Sequence, residues 1–319
     1  MILDRNLKWE VIVFYTWKSM LYYLLLSVAV YLIHGYYEVV QLHLPFSTLT
    51  ALSTALAIFL GFKNSNAYDR WWEARQIWGQ LVNSSRAWGR QVTTMIIPTD
   101  EQEAELVKKL QHRMVYRHLA FVHGLRVFLR KPKPYNGTKQ EEIVEETNEY
   151  SDTVAFLSEE EYKAFWHKNN PPNYLINLQG DDLRRAYERG WLSDYRFVQL
   201  EQTLVAFNDI QGKSERIKNT PFPRQYSFFS RVFVFIHASL LPFVFVDEIG
   251  WASIPVSVIV SFVFLCLDLV GERMEDPFEN RLEDVPLTQL SLAIETNLKE
   301  HWGDNNFPVS KNHKQGIML

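Results

Sequence analysis

The densest group of side chains able to do chemistry lies in DLVGERMEDPFENRLEDVPL, residues 268–287. Glu272, Glu275 and Asp276 stand at i, i+3 and i+4 of a predicted helix end, and Glu283 and Asp284 follow Pro277. Carboxylate oxygens at that spacing are ligands for a hard cation such as calcium. Arg273 and Arg281 lie inside the same stretch and compete as partners, so a solvated or ion-paired stretch just outside the membrane is the favoured reading. His112, His118 and His123 share one predicted helix with Arg113, Arg117 and Arg126, but no two of these histidines are four apart, the spacing a helix-borne zinc site requires. They read as solvated or interhelical polar contacts. No serine sits in a GxSxG elbow, and GxGxxG, Walker and HExxH patterns are absent. The single cysteine, Cys266, lies among Phe264, Leu265 and Leu267, which suits inert packing and excludes an internal disulfide framework. Nothing here reads as an enzyme, and no metal or cofactor is expected.

A second pattern is physical rather than catalytic. Thr50, Thr54, Ile58 and Phe62 are spaced by four and share one helical face, with Ser47 and Thr48 keeping its start mildly polar. A helix surrounded by lipid has no need of hydroxyls, although Ser and Thr also bond back to their own helix or a neighbour. Two readings stay open: helix–helix packing, or, with this face at the axis of an oligomer, a narrow charge-free conduit that gates by dewetting.

Four apolar stretches carry these residues: 20–33 (MLYYLLLSVAVYLI, extended by 11–17), 45–62 (PFSTLTALSTALAIFLGF), 228–246 (FFSRVFVFIHASLLPFVFV) and 252–270 (ASIPVSVIVSFVFLCLDLV). Eighteen helical residues span roughly 27 Å, close to the roughly 30 Å of bilayer hydrocarbon. The mean hydropathy of −0.17 speaks against a chain that is mostly membrane, so the spans must join a larger polar part. Residues 35–44 and 247–251 hold no Lys or Arg, whereas Arg5, Lys8, Lys18, Lys63, Arg70, Arg75, Arg224 and Arg273 flank the other ends. The positive-inside rule then puts both termini and the insert in the cytoplasm, with Tyr36, Tyr37 and Trp251 at the outer interface. A net charge of −4 gives no basic field for nucleic acid, and the polar start MILDRNLKWE is no cleavable signal.

The insert reads as helical. Trp71, Ala74, Trp78, Leu81, Val82, Ser85 and Trp88 recur at three-and-four spacing through residues 65–94. Residues 100–130 form a second helix with an acidic start, 131–158 a loop with a short helix, and 173–190 and 192–219 two more helices, the last stopped by NTPFP. The expectation is an all-α membrane protein: 1–62 the N-terminal segment and two spans, 63–227 a cytoplasmic helical insert, 228–270 two further spans and 271–319 a C-terminal cytoplasmic segment. A membrane-anchored metal-dependent enzyme or scaffold built on the acidic cluster is the alternative from another class.

Three blocks resemble the bestrophin family, in particular prokaryotic bestrophin-like proteins. IFLGFKNSNAYDRWWEARQIWGQL (58–81) is similar to its glycine-aromatic and Y-x-R-W-x-E-A-R-x-x-W-G signature, here Asn64, Tyr68, Arg70, Trp71, Glu73, Arg75 and Trp78. SERIKNTPFPRQY (214–226), with Asn219 and Pro221, resembles its R-I-x-N-T-P-x-P block, and GERMEDPFENRLEDVPL (271–287), with Glu275, Asp276, Pro277 and Phe278, its E-D-P-F block. The resemblance implies a homopentameric channel in a cell membrane that conducts small monovalent ions, chloride by analogy with animal and plant relatives. It implies a neck of three rings, by position Thr54, Ile58 and Phe62, with threonine where relatives often place an apolar ring. It implies a cytoplasmic aperture, matched by LSDY at Tyr195. The last block departs from the calcium-clasping animal pattern because Arg281 enters its acidic run, so it is read as bracing neighbouring subunits rather than opening on calcium. Cation conduction is the alternative if acidic residues line the cytoplasmic vestibule.

Overall fold

The computed structural model describes residues 9–37, 45–131 and 150–308. The expected terminal arginine and lysine, Arg5 and Lys8, most of the first outer connection, the side chains of Tyr36 and Tyr37, and most of the 131–158 loop lie outside the described residues. Among the described residues nine α-helices follow in order: α1 (Trp9–Tyr37), α2 (Phe46–Met95), α3 (Ala104–Arg130), α4 (Glu159–Trp166), α5 (Pro171–Glu188), α6 (Asp194–Asn219), α7 (Arg224–Ile249), α8 (Ser253–Met274) and α9 (Leu287–Trp302). No strand occurs among the described residues, as the all-α expectation requires. Stretches Ile12–His34, Phe46–Met95 and Arg224–Met274 are long and apolar enough to cross a membrane. The last of these contains both α7 and α8, parted where Gly250 takes φ +56°, a region that favours glycine.

Local chemistry explains the boundaries. Ser158 caps α4 by accepting the Glu161 amide at 3.3 Å ahead of three glutamates that suit the positive helix end. Asn170 caps α5 in the same way, at 3.2 Å from the Asn173 amide, with Pro171 and Pro172 opening the first turn. Pro221 stops α6, and Gly303 in the left-handed region closes α9. α4 and α9 are findings beyond the periodicity reading.

The helix α2 is uninterrupted across the change from apolar to charged sequence. Its buried positions Leu49, Leu56, Leu60, Lys63, Ala67, Ala74, Trp78, Leu81, Ser85, Trp88 and Val92 form a three-and-four seam, with Ser53 and Arg70 half-buried in register. Contacts divide the described residues into two compact units: one drawn from 9–37, 45–71 and 221–276, the other from 72–131, 150–220 and 277–308. In the first, Leu49 packs on Leu241 and Val244 of α7, and Leu56 and Leu60 on Val234. Ser53 donates to the Leu49 carbonyl at 2.7 Å and meets His237 Nε2 at 2.6 Å.

The second unit repeats that device. Ser85 donates to the Leu81 carbonyl at 2.7 Å, so its oxygen accepts from His118 Nε2 at 2.8 Å. His118 also lies against Phe207 and Trp88. The neighbouring histidine, His123, meets Glu295 of α9 at 2.9 Å, while Arg113 and Arg117 converge on the buried Asp182 at 2.7 and 2.5 Å. The α3 histidines and arginines therefore serve interhelical packing, and Gly89 of α2 admits Leu298, which lies 2.5 Å from where a Cβ would stand.

Burial pushes His118 down to about 3 from its ordinary 6.5. Above pH 6.5 folded and unfolded chains both hold it neutral; as pH falls from there toward 3, only the unfolded chain takes the proton and stability is lost. We expect His118→Gln to abolish that loss, leaving the variant about 2 kcal/mol less pH-sensitive than the parent between pH 7 and pH 5. Unfolding midpoints of both proteins in detergent at the two pH values check this.

Candidate functional site

Opposite the seam, the first part of α2 presents a face that nothing in its own unit covers. Ile58 is 56% and Phe62 67% exposed, and Thr50 and Thr54 are exposed in line with them. Thr54 donates its hydroxyl to the Thr50 carbonyl at 2.8 Å and Thr50 to the Phe46 carbonyl at 2.9 Å. Both threonines therefore turn lone pairs and a methyl outward, with the proton tied to the helix. At about 100° per residue, Ile58 and Phe62 lie about 40° and 80° around from Thr54, and Asp69 falls between them at about 60°. Asp69 is exposed, roughly 10 Å beyond Phe62, and is the first charged side chain on this face.

The residues after Phe62 are anchored. Lys63 is fully buried; its Nζ lies 2.8 Å from Asp268 Oδ1, donates to Ser230 Oγ at 3.0 Å and stands 3.6 Å from Glu275 Oε1. Asn64 donates to the Leu267 carbonyl at 2.9 Å. Arg70 Nε donates to the Glu275 carbonyl at 2.7 Å, and Ser227 donates to the Glu275 carboxylate at 2.7 Å. Burial pushes the Glu275 carboxyl above its ordinary range, against the pull of Ser227 and Lys63.

The remaining sequence-predicted residues scatter in role. Tyr68 stacks on Trp71, Glu73 pairs with Arg216 at 2.5 Å, Arg75 is half-buried and Trp78 is wholly buried. Asn219 ends α6 and Pro221 follows it. Tyr195, in the first turn of α6, is 90% exposed. In the acidic block, Asp276 pairs with Arg224 at 3.2 Å, Glu272 with Arg231 at 2.5 Å and Glu279 with Lys218 at 2.5 Å, while Pro277 and Phe278 are buried. Asp284 accepts the Arg281 amide at 3.1 Å, and burial raises its carboxyl to about 6 despite Arg281. Among the described residues no three His, Cys, Asp or Glu side chains are grouped to hold a metal ion.

Sequence reading passed over Lys63 with Asp268, and Asp69. The signal was present for the first pair: a lysine in register with an apolar seam, and one aspartate in an apolar span, each demand a buried partner. Gly271 marks how closely α8 approaches, because a Cβ there would stand 2.1 Å from Asn64 Oδ1. We expect Gly271→Ala to destabilise the protein by about 1–3 kcal/mol, as overpacking does, and Asn64→Ala in the same chain to recover part of it. Thermal unfolding in detergent measures both.

Comparison with known proteins now bears on this geometry. Residues 9–300 match the family model described as Bacterial/Fungal Bestrophin protein. The voltage-dependent anion channel-forming protein YneE of Escherichia coli K12 is 31% identical over 285 residues, covering 89% of this chain and 86% of that protein. Its counterpart RSc3414 of Ralstonia nicotianae is 28% identical, covering 88% and 84%. The crystal structure of a bacterial bestrophin homolog from Klebsiella pneumoniae matches at a TM-score of 0.77 and 30% identity, covering 89% of this chain and 97% of that one. With family, relatives and fold in agreement, this chain is a membrane protein and belongs to the bestrophin family.

Proposed function

We propose that the chain is one subunit of a homopentameric channel for small monovalent ions, chloride foremost. The observation that carries this reading is the exposed, charge-free face of α2 from Thr50 to Phe62, on a helix whose other face is sealed. The names of its relatives as anion channel-forming proteins support the ion. In this reading α1, the first part of α2, α7 and α8 cross the cell membrane, and residues 63–227 and both termini are cytoplasmic. Thr54, Ile58 and Phe62 form the rings of an apolar neck, and Tyr195, bare at the start of α6, forms the cytoplasmic aperture. The motif residues around Glu275–Phe278 hold each subunit's own helices and brace the next. The partners are lipid and four further copies of the chain. The carboxylates a metal-dependent enzyme would use are engaged in ion pairs instead.

A second reading, cation conduction, is favoured by Asp69. A neck without charge does not choose a sign, and the first charge beyond it on the same face is a carboxylate.

Purified protein in liposomes should run as a pentamer and pass current. Ile58→Ala and Phe62→Ala should each raise flux severalfold by widening an apolar constriction. Under a NaCl gradient the reversal potential should approach that of chloride; an approach to that of sodium establishes the second reading, and Asp69→Asn should then move it back toward chloride. A monomer that passes no current overturns the channel.

A further inference from the structure

Phe62 and Lys63 are adjacent, so their side chains leave α2 about 100° apart, one largely exposed and one wholly buried. The Lys63 ammonium reaches α8 through Asp268 at 2.8 Å and α7 through Ser230 at 3.0 Å. One residue on, Asn64 ties α2 to the α8 backbone. Higher up, beside Ile58, α2 packs through Leu56 and Leu60 on Val234 and Phe264 and through Phe59 on Tyr226 and Phe233, and Ser53 meets His237 five residues before Ile58. Apolar contact is non-directional and tolerates a small turn of a helix about its axis. A buried ion pair does not, because the turn draws opposite charges apart where water cannot replace either partner.

We propose that Lys63 and Asp268 are the positioning pair of the neck: their ion pair fixes the angle at which Phe62 is presented to the conduit, while Ile58 is set independently of it. The inference rests on the neck reading above. It makes the innermost ring depend on a buried charge pair that starts from the adjacent residue. Glu275 is the further anion near Lys63; it accepts from Ser227 and lies 3.9 Å from Arg224, so it keeps a cation beside it when Lys63 and Asp268 lose their charges together.

The test measures NaCl flux from liposomes holding full-length protein. Lys63→Met alone strands a buried carboxylate, so the working variant is Lys63→Met with Asp268→Asn, which keeps both shapes and removes both charges. It should raise flux severalfold. On that background the factor contributed by Phe62→Ala should fall by about fivefold or more relative to the parent, the mark of coupled positions, while the factor for Ile58→Ala stays the same. A pair that only stabilised the fold would shift the unfolding midpoint and leave both factors unchanged, and equal Phe62→Ala factors in the two backgrounds overturn the proposal. If Phe62→Ala is silent in the parent, the neck reading itself falls and this one with it. Should the double variant fail to fold, Lys63→Arg retains the charge on a larger, planar head and must show the same loss of the Phe62→Ala factor.

Discussion

The burial of one ammonium group organises the membrane-spanning unit. Lys63 occupies a seam position of α2, where a side chain has no route to water, and a bare cation there would be untenable. Three otherwise puzzling residues answer it. Asp268 interrupts the apolar run of α8, Ser230 puts a hydroxyl into α7, and Glu275 is buried immediately after α8 ends. The glycine one turn beyond Leu267 then makes sense as well, since α8 must come near enough for Asn64 to reach its backbone. The motif blocks at 58–81 and 271–287 are thus two sides of one contact, which is why they occur together.

The rest of the seam uses a milder version of the same logic. Ser53, Ser85 and Thr93 each donate to a carbonyl of their own helix and accept a histidine from another: His237 of α7, His118 of α3 and His301 of α9. A back-bonded hydroxyl offers only an acceptor, so it selects a donor and fixes the histidine Nε2 as protonated. Such a contact is self-contained and needs no solvent, so it serves equally in hydrocarbon and in the polar unit. One continuous helix can in this way keep a constant inner face while its outer face passes from apolar residues to Asp69 and beyond.

How far the sequence carried follows from what is local. The three-and-four recurrence of Trp71, Ala74, Trp78, Leu81, Ser85 and Trp88 is a local signal, and it predicted both the helix and its buried side. Arginines within the acidic block predicted ion pairing, but the actual partners of Asp276, Glu272 and Glu279 are Arg224, Arg231 and Lys218, cations from distant segments that no spacing rule identifies. The seam lysine was visible as a residue, yet its meaning depended on Asp268, more than two hundred residues away. α9 carried a readable pattern, with Leu287, Ser291, Ile294 and Leu298 at three-and-four spacing, that the sequence reading passed over, while its core contacts, Leu298 under Gly89 and Glu295 on His123, are long-range. The Thr54–Phe62 face was readable as spacing, whereas its exposure could be established only by a structure.

That exposure also recasts Thr54, the outermost ring of the proposed neck. A hydroxyl is expected to wet a constriction because it both donates and accepts. Thr54 has its proton on the Thr50 carbonyl, and Thr50 has its own on Phe46. What faces outward is a methyl group and an oxygen that can still accept a hydrogen bond but has no proton left to donate. The carbonyl accepting that proton belongs to the helix ladder, so releasing it toward another acceptor would trade a formed bond for another with little net gain. Thr54 is therefore a poorer donor than its residue type suggests. The charge-free character of the face extends from Thr54 past Ile58 to Phe62, and the first charged side chain beyond it on this face is Asp69.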